Sequence, residues 1–269
     1  MARKQALGAG KKIALSSIVV RNCRGLEELR ACVALQKQVW KFSDADLVPL
    51  RMFVVAEKIG GQVIGAFRRK ELAGFSLSLP AMRDDKPYLH SHMLAVSSVY
   101  RNSGLGRRLK LFQRKDAMRR GYELIEWTFD PLEIKNAYFN IERLGAIARR
   151  YIVNQYGASS SPLQGGLPTD RLIAEWWLTS NWVKRRIHES ADKPAHTKRI
   201  LVPVEIYDWK GSPRTRRSAV ALQKTNRKEL MRGFASGLAV LGYELDEKGN
   251  GAFLLGRWRG QDSGKHKSR

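Results

Sequence analysis

The run Arg101-Asn102-Ser103-Gly104-Leu105-Gly106 constrains this chain more than any other part of it. It follows an apolar, strand-like stretch, Tyr88 to Val96, and opens a segment in which Leu105, Leu109 and Phe112 share one helical face. A strand that passes through a glycine loop into a helix is a way of holding an anion. The first-turn N–H groups have no partner within the helix and carry the positive end of its dipole, and glycines let a ligand approach the backbone. The N–H groups of about Ser103 to Arg108 would face that anion. Arg107 and Arg108 place positive charge where the dipole disfavours it, which makes sense with an anion in place. The loop is no Rossmann fingerprint, because Leu109 stands at the third glycine position, and no Walker loop, because no Gly-Lys-Ser/Thr follows. Taken alone, Gly104 and Gly106 also read as plain turn residues entering a helix.

The rest of the chain supplies a context of strands. Ile18 to Arg21 predicts a short edge strand, and Leu26, Leu29, Val33 and Trp40 predict a helix from Leu26 to Trp40. Phe53 to Ile59 and Val63 to Phe67 read as a hairpin turning at Gly60-Gly61. Leu72 to Leu79 reads as a strand closed by Pro80. After the glycine loop the helix ends at Gly121, Leu124 to Phe129 is a strand broken by Pro131, and a second helix runs from about Glu133 to Leu144 before Gly145. Ala158 to Thr169 is a Ser-, Gly- and Pro-rich loop, followed by Leu172 to Trp182. Ile200 to Ile206 reads as a strand, Arg216 to Leu241 as one long basic helix, and Tyr243–Leu245 with Ala252–Trp258 as a hairpin around Gly249-Asn250-Gly251. Strands following strands with few helices argue for an α+β fold whose sheet is mostly antiparallel.

Arg-x-x-Gly-x-Gly at this place resembles the acyl-CoA loop of the GNAT superfamily of acetyltransferases. Four further stretches resemble one subgroup of predicted GNAT acetyltransferases whose substrate is not established. They are Ser91-His92-Met93-Leu94, Trp127-Thr128-Phe129-Asp130-Pro131-Leu132, Asn136 to Gly145, and Gly166-Leu167-Pro168-Thr169-Asp170-Arg171-Leu172. The resemblance covers roughly Phe53 to Leu178 well and continues more weakly through Ile200 to Trp258. It implies a GNAT-type mixed sheet flanked by helices, with a C-terminal helix-plus-hairpin extension, and acetyl-CoA or another acyl-CoA as co-substrate. Val96, Arg101, Asn102, Ser103, Gly104, Leu105, Gly106, Arg107, Arg108 and Asn136 would hold the coenzyme.

In such enzymes an amine attacks the thioester directly in a ternary complex, so a base within hydrogen-bond reach is expected. His90 and His92 lie two apart on one strand and point to the same face, which Leu94 and Val96 share if the strand is regular. They read either as a base pair or as one exposed and one structural histidine; His92 is preferred because it lies in the family-like stretch. The oxyanion donor in this fold is a backbone N–H, here near Ala95 to Ser97. Many GNAT enzymes carry an acid tyrosine four residues before the helix-ending glycine; here that position is Ile141, and Tyr138 substitutes only if the helix is shifted. Asp130 reads as a helix cap or as a contact to a cationic acceptor. Asp170 and Arg171 read as an internal ion pair or a pocket element, Asn136 and Asn140 as an i, i+4 pair, and Trp176 and Trp177 as core or interface aromatics.

Composition narrows the setting. The 269 residues carry a net charge of +24, which attracts polyanions: coenzyme A with its phosphates, or nucleic acid. The long basic helix, with Arg216, Arg217, Lys224, Arg227, Lys228 and Arg232, is either a solvated face or a nucleic-acid contact, and no aromatic residues for stacking interleave it. No apolar run is long enough to span a membrane, and two cysteines, Cys23 and Cys32, make neither a metal framework nor a disulfide lattice, so the chain reads as cytoplasmic. The expected organisation is a basic flexible tail (1–16), a GNAT-like acyl-CoA-binding domain (17–183), a charged linker (184–199), a C-terminal helix and hairpin extension (200–260) and a basic tail (261–269). The leading function is N-acyl transfer to an amine of unknown identity. A noncatalytic acyl-CoA sensor or scaffold and a nucleic-acid-associated protein are the alternatives, and the oligomeric state stays open.

Overall fold

The computed structural model describes residues 15–188 and 193–258. Of the expected tails, 1–14 and 261–269 lie outside the described residues, as does 189–192 within the expected linker. In chain order the elements are β1 (Ile18–Asn22), α1 (Gly25–Trp40), α2 (Leu50–Lys58), β2 (Gln62–Arg68), β3 (Glu71–Arg83), β4 (Lys86–Val96), α3 (Leu105–Arg119) and β5 (Leu124–Phe129). Then come α4 (Ile134–Tyr138), which runs into a π turn (Phe139–Arg143), β6 (Ile147–Ile152), β7 (Arg171–Trp177), α5 (Asn181–His188), β8 (Lys198–Val202), α6 (Ile206–Gly211), α7 (Arg216–Ala235), β9 (Leu238–Leu245) and β10 (Gly251–Arg257).

Among the described residues the strands form one sheet in the order β1-β2-β3-β4-β5-β7-β6-β9-β10-β8. Each neighbouring pair is antiparallel except β4 with β5, which run parallel. The C-terminal strands continue the same sheet through β9, which meets β6 at Ala148↔Val240. On the N-terminal half α1 and α2 cover one face, with Leu29, Cys32, Phe53 and Ala56 packed on Phe75, Leu77, Met93 and Ala95. Helix α3 covers the other face, with Leu105 and Leu109 on Ile64, Ala66 and Ala73. A larger cluster from Leu89 to Leu255 joins β5, β6, β7, α4, α5 and the C-terminal elements.

Several elements differ from the sequence reading. Phe53 to Ile59 is not a hairpin strand but most of α2: Phe53 and Ala56, one turn apart, are buried, and Gly60 at φ +86° ends the helix. Strand β3 passes through Pro80 instead of stopping there. Beyond Ser78 it has no β2 partner, so a proline on that edge interrupts no ladder bond. Lys184 to His188 completes α5, whose buried Val183, Arg186 and Ile187 dock it onto the core. Ile206 begins α6 instead of ending a strand. The long basic helix stops at Ala235, because Gly237 at φ +76° reverses the chain and Leu238 already belongs to β9. Strand β6 has no counterpart in the sequence reading. Cys23 and Cys32 are buried thiols with their sulfurs 3.9 Å apart.

Gly145 closes the π turn at φ +74°, and a Cβ there would lie 2.8 Å from Arg186 Cβ and 3.3 Å from Val183 Cα of α5. Gly145→Ala is therefore expected to lower unfolding stability by about 2 kcal/mol or more, combining left-handed strain with overpacking. Urea denaturation measures it, and an unchanged midpoint would mean that α5 does not sit against the turn.

Candidate functional site

The site begins with an irregularity in β4. Leu77 faces Met93 and Ser78 faces Ser91, so His92 is an extra residue, a β-bulge. The bulge changes which way the strand faces. Before it, Leu89 and Ser91 turn towards α3, where Ser91 Oγ meets Lys110 and Gln113. After it, Met93 and Ala95 turn towards α1 and α2, and Leu94 and Val96 towards α3. The expectation that His90, His92, Leu94 and Val96 share a face is corrected: His90 pairs across to Leu79, on the α1–α2 side, while Leu94 and Val96 lie on the other.

Next to the bulge, β4 and β5 part. Their parallel pairing consists of Leu89↔Ile125 and His90↔Glu126. Beyond it lies a cleft of about 490 Å³, walled by Ser91 to Leu94 from β4 and Trp127 to Asp130 from β5. Glu133, Asn136 and Asn140 line it from α4 and the π turn, and Lys110 from α3. Trp40, Phe42 and the loop from Ala158 to Gln164 form its mouth. That loop is clasped there: Ser161 Oγ donates to Trp40 O (2.8 Å), and Ser43 N donates to Ser160 Oγ (3.1 Å).

His92 lines this cleft, whereas His90 does not; their rings are 6.1 Å apart. Burial pushes both imidazoles below the ordinary histidine value, and His92 also pushes on His90. His92 is open to the cleft, so it is held neutral near pH 7 while a partner can still reach it. Strand geometry gives alternate N–H groups opposite directions. Ser97 N donates to Ala73 O at 2.9 Å, so within the expected Ala95–Ser97 stretch it is the Val96 N–H that points away from β3.

The glycine loop has the conformation an anion cradle needs. Asn102 (φ +59°) and Gly104 (φ +91°) are left-handed, and Ser103 Oγ donates to Tyr100 O at 2.6 Å. At Gly106 a Cβ would project onto Val96, Leu94 and Phe139 at 3.8–3.9 Å, filling the space beside β4. Leu105 is buried and anchors the turn, and Arg101 is exposed. The two arginines that follow are committed elsewhere: Arg107 donates to Ile187 O at the end of α5 (2.5 Å), and Arg108 to Leu15 O and Ile18 O (2.5 and 2.9 Å).

From α4 and the π turn the structure brings Asn136 and Asn140 to the cleft, with Asn140 Nδ2 donating to Asn136 Oδ1 at 3.3 Å. Ile141 is fully buried, and Tyr138 packs half-buried against the central cluster outside the cleft lining. Asp130 caps Leu132 N (2.8 Å) with one oxygen and meets Lys210 Nζ (3.0 Å) with the other; Lys210 also meets Glu133 (2.7 Å). Desolvation raises the Glu133 carboxyl above its usual range, against the pull of Lys210. Asp170 does not pair with Arg171. Its buried carboxylate takes Tyr151 OH, Asn154 N and the guanidinium of Arg227, while Arg171 lines the cleft and donates to the Asp170 carbonyl. The basic face of α7 is thereby divided: Arg227 is paired inward, and Arg217, Lys224, Lys228 and Arg232 face solvent. Trp176 is core, with Nε1 donating to Leu144 O.

Sequence reasoning missed Lys110, Lys210, Glu133 and Tyr156. The only signal for Lys110 was the polar series Lys110, Gln113, Asp116 at three-residue spacing beside the apolar face of α3; all three are buried.

Compared with solved structures, the chain matches a protein named as a GNAT-family acetyltransferase from Desulfovibrio desulfuricans. The match has 16% identity, covers 60% of this chain and 99% of that one, and has a TM-score of 0.50. An N-acetyltransferase from Staphylococcus aureus matches at 13% identity, over 60% of this chain and 99% of that one, with a TM-score of 0.48. No family model matches the chain, and no curated protein does. The chain has the GNAT fold, a mostly antiparallel sheet flanked by helices. Among the described residues no helix is long and apolar enough to cross a membrane.

The Lys210 ion pairs fix α6 against the cleft, and Lys210 and Asp130 are both buried. Lys210→Met leaves two carboxylates without their cation and is expected to cost about 3 kcal/mol or more of stability. Adding Asp130→Asn should restore part of it. Thermal unfolding of the single and double variants checks this, and equal losses in a Lys210→Met and a Lys210→Ala protein would separate charge from packing.

Proposed function

We propose that this protein transfers an acetyl or other acyl group from acyl-CoA to an amine by direct attack in a ternary complex. The observation that carries the reading is the continuity between the start of α3 and the cleft. An anion held at Gly104 to Gly106 stands at one end of β4, and the parting of β4 from β5 at the bulge receives the other end of a long ligand. The residues present suit such a ligand. Gly104 supplies the left-handed turn, the N–H groups of Leu105, Gly106 and Arg107 face outwards from the first turn, and Gly106 leaves the space a Cβ would fill. Arg101, Asn102 and Ser103 border the pyrophosphate. Arg107 contributes its backbone N–H and both arginines the local positive field, since their side chains brace α5 and the chain at Leu15 and Ile18 and the Arg108 N–H is bonded to Gly104 O at 3.1 Å. Val96 N–H is placed to bond the extended arm, and Asn136 flanks it. Acyl-CoA supplies the activated acyl group; everything else is the work of the chain.

The acceptor enters past Trp40, Phe42 and Tyr156, on the opposite side of the bulge. His92 takes the proton from its ammonium group, and the amine attacks the acyl carbon. His90, outside the cleft lining, is a neighbour of His92 and not a reactant. Arg171 at the cleft wall and Asp46 at the mouth supply the charged groups that meet an acceptor, whereas Asp130 and Asp170 act by holding the wall in place.

Two experiments test this. In calorimetric titration, wild-type protein is expected to bind acetyl-CoA at one saturable site and Gly106→Glu to lose it, because a bulky anion blocks the cradle; equal binding by both would mean nonspecific attraction to a basic protein. Thiol release with a panel of amines then measures transfer. Its kcat/KM should fall on the acid side as His92 takes up a proton. Desolvation favours the neutral imidazole, so this limb lies below the ordinary histidine value of about 6.5 and vanishes in His92→Ala. An unchanged limb in that variant would remove His92 from the reaction.

A further inference from the structure

Lys110 is 2% exposed and lines the cleft, and among the described residues no carboxylate lies within ion-pair distance of it. Lysine is almost never buried in this way without a partner charge. Its Nζ donates to Gln113 Oε1 at 2.7 Å and to Ser91 Oγ at 3.2 Å. It also stands 3.7 Å above the ring of Trp127 and 5.3 Å from that of Trp176. Gln113 is itself fixed by Ser78 Oγ, so the amine is held from three sides by groups that are positioned in turn. Nothing in the packing of the sheet requires a charged group here, and a methionine would fill the same volume without desolvation.

Its place along the ligand path gives it a use. Gly106 faces Val96 and Leu94; Lys110, one helical turn later, reaches Ser91. From Val96 to Ser91 the strand advances about 16 Å, from the anion cradle into the cleft. A linear arm anchored at the cradle and following β4 therefore brings its far end to Lys110, on the α3 side of the sheet, while His92 lies at the bulge facing the mouth. Ile141 fills the position where an acid was sought, and Tyr138 lies outside the cleft lining. Tyr156 does line the cleft, but its hydroxyl shares a proton with Thr128 Oγ1 at 2.9 Å, and Thr128 points to the opposite face from Trp127.

We propose that Lys110 is the acid that protonates the departing coenzyme A thiolate; this assignment rests on the acyltransfer reading. As the acceptor nitrogen bonds to the acyl carbon, the carbon–sulfur bond breaks and its electron pair goes to sulfur. The Lys110 ammonium gives sulfur one proton and becomes a neutral amine. One acceptor proton leaves through His92 to solvent before attack, the second leaves the new amide nitrogen by the same route once the carbon–sulfur bond has broken, and Lys110 is recharged from solvent. The surroundings suit a group that must be charged and yet let go. The two indole faces favour the ammonium, and burial pushes its pKa well below the usual lysine range, so its proton is held loosely. Of the titratable groups around it, His90 is the one that senses its charge; Gln113, Ser78, Ser91 and the two tryptophans are neutral.

The test compares two acyl donors that differ only in the leaving atom: acetyl-CoA and its selenium analogue, whose far more acidic selenol departs without a proton. With the best amine from the screen, Lys110→Met is expected to lose about 100-fold or more in kcat with acetyl-CoA and under about tenfold with the selenoester, while its affinity for coenzyme A stays within about threefold. The wild-type protein gives a second reading that needs no variant. Its kcat with acetyl-CoA should fall on the alkaline side at a pH below the ordinary lysine value, and with the selenoester it should stay level. Equal losses with both donors, no loss with either, or identical alkaline limbs would overturn the assignment. A wild-type protein that binds acetyl-CoA but acylates no amine would instead overturn the acyltransfer reading itself.

Discussion

Two residue pairs, Leu89 with Ile125 and His90 with Glu126, make up the ladder between β4 and β5, and the architecture of the site depends on how soon they end. The β-bulge at His92 re-aims β4 just past the last of these pairs. From there the strand presents Leu94 and Val96 to α3, which begins at the glycine loop, while β5 continues alongside β7. The wedge between them becomes the cleft. A regular strand would have kept the ladder closed and left the glycine loop as a surface feature with nowhere to direct a ligand.

Each half of the sheet is braced by side chains crossing between helices and strands. Polar groups account for much of that: Gln62 and Asp116, Ser78 with Gln113, and Lys110 tie α3 to β2, β3 and β4. In the other half Asp170 collects Tyr151, Asn154 and Arg227, and Lys210 joins α6 to Asp130 and Glu133. Such buried networks fix one arrangement more than they add stability, since each ion gives up its hydration. They are suited to keeping a cleft open at a defined width. The high positive charge of the chain is only partly spent in this way: the outer face of α7 keeps Arg217, Lys224, Lys228 and Arg232 in solvent.

How much could be read in advance follows from the physics of each segment. The strand–loop–helix unit from Tyr88 to Arg119 was legible because its glycines, apolar alternation and helical spacing agree with one another. The helix α2 was not, because Phe53, Val54 and Val55 are β-formers by composition, and the choice was made by docking Phe53 and Ala56 against the sheet. The strand β6 hid behind Arg149 and Arg150, whose charges look like surface but are met by Glu175 on the neighbouring β7 and Glu126 on β5 beyond it. In the site, the glycine turn and His92 were visible as residues. The bulge that separates His92 from Leu94 was not, since one extra residue leaves no trace in an alternating pattern. Lys110 escaped because a lysine on a helix is read as solvated, and only the tertiary fold shows Trp127 and Trp176 closing over it.

The parting of β4 and β5 also leaves two strand edges facing each other inside the molecule. On a protein's exterior such edges are hazards, because their free N–H and C=O groups invite any extended chain to add on. Here the stacked rings of Trp40 and Phe42, and the serine clasp, stand over the opening. The two edges are thereby kept from the strand addition that an exposed edge invites, and an open ladder is carried inside the fold at no risk of aggregation.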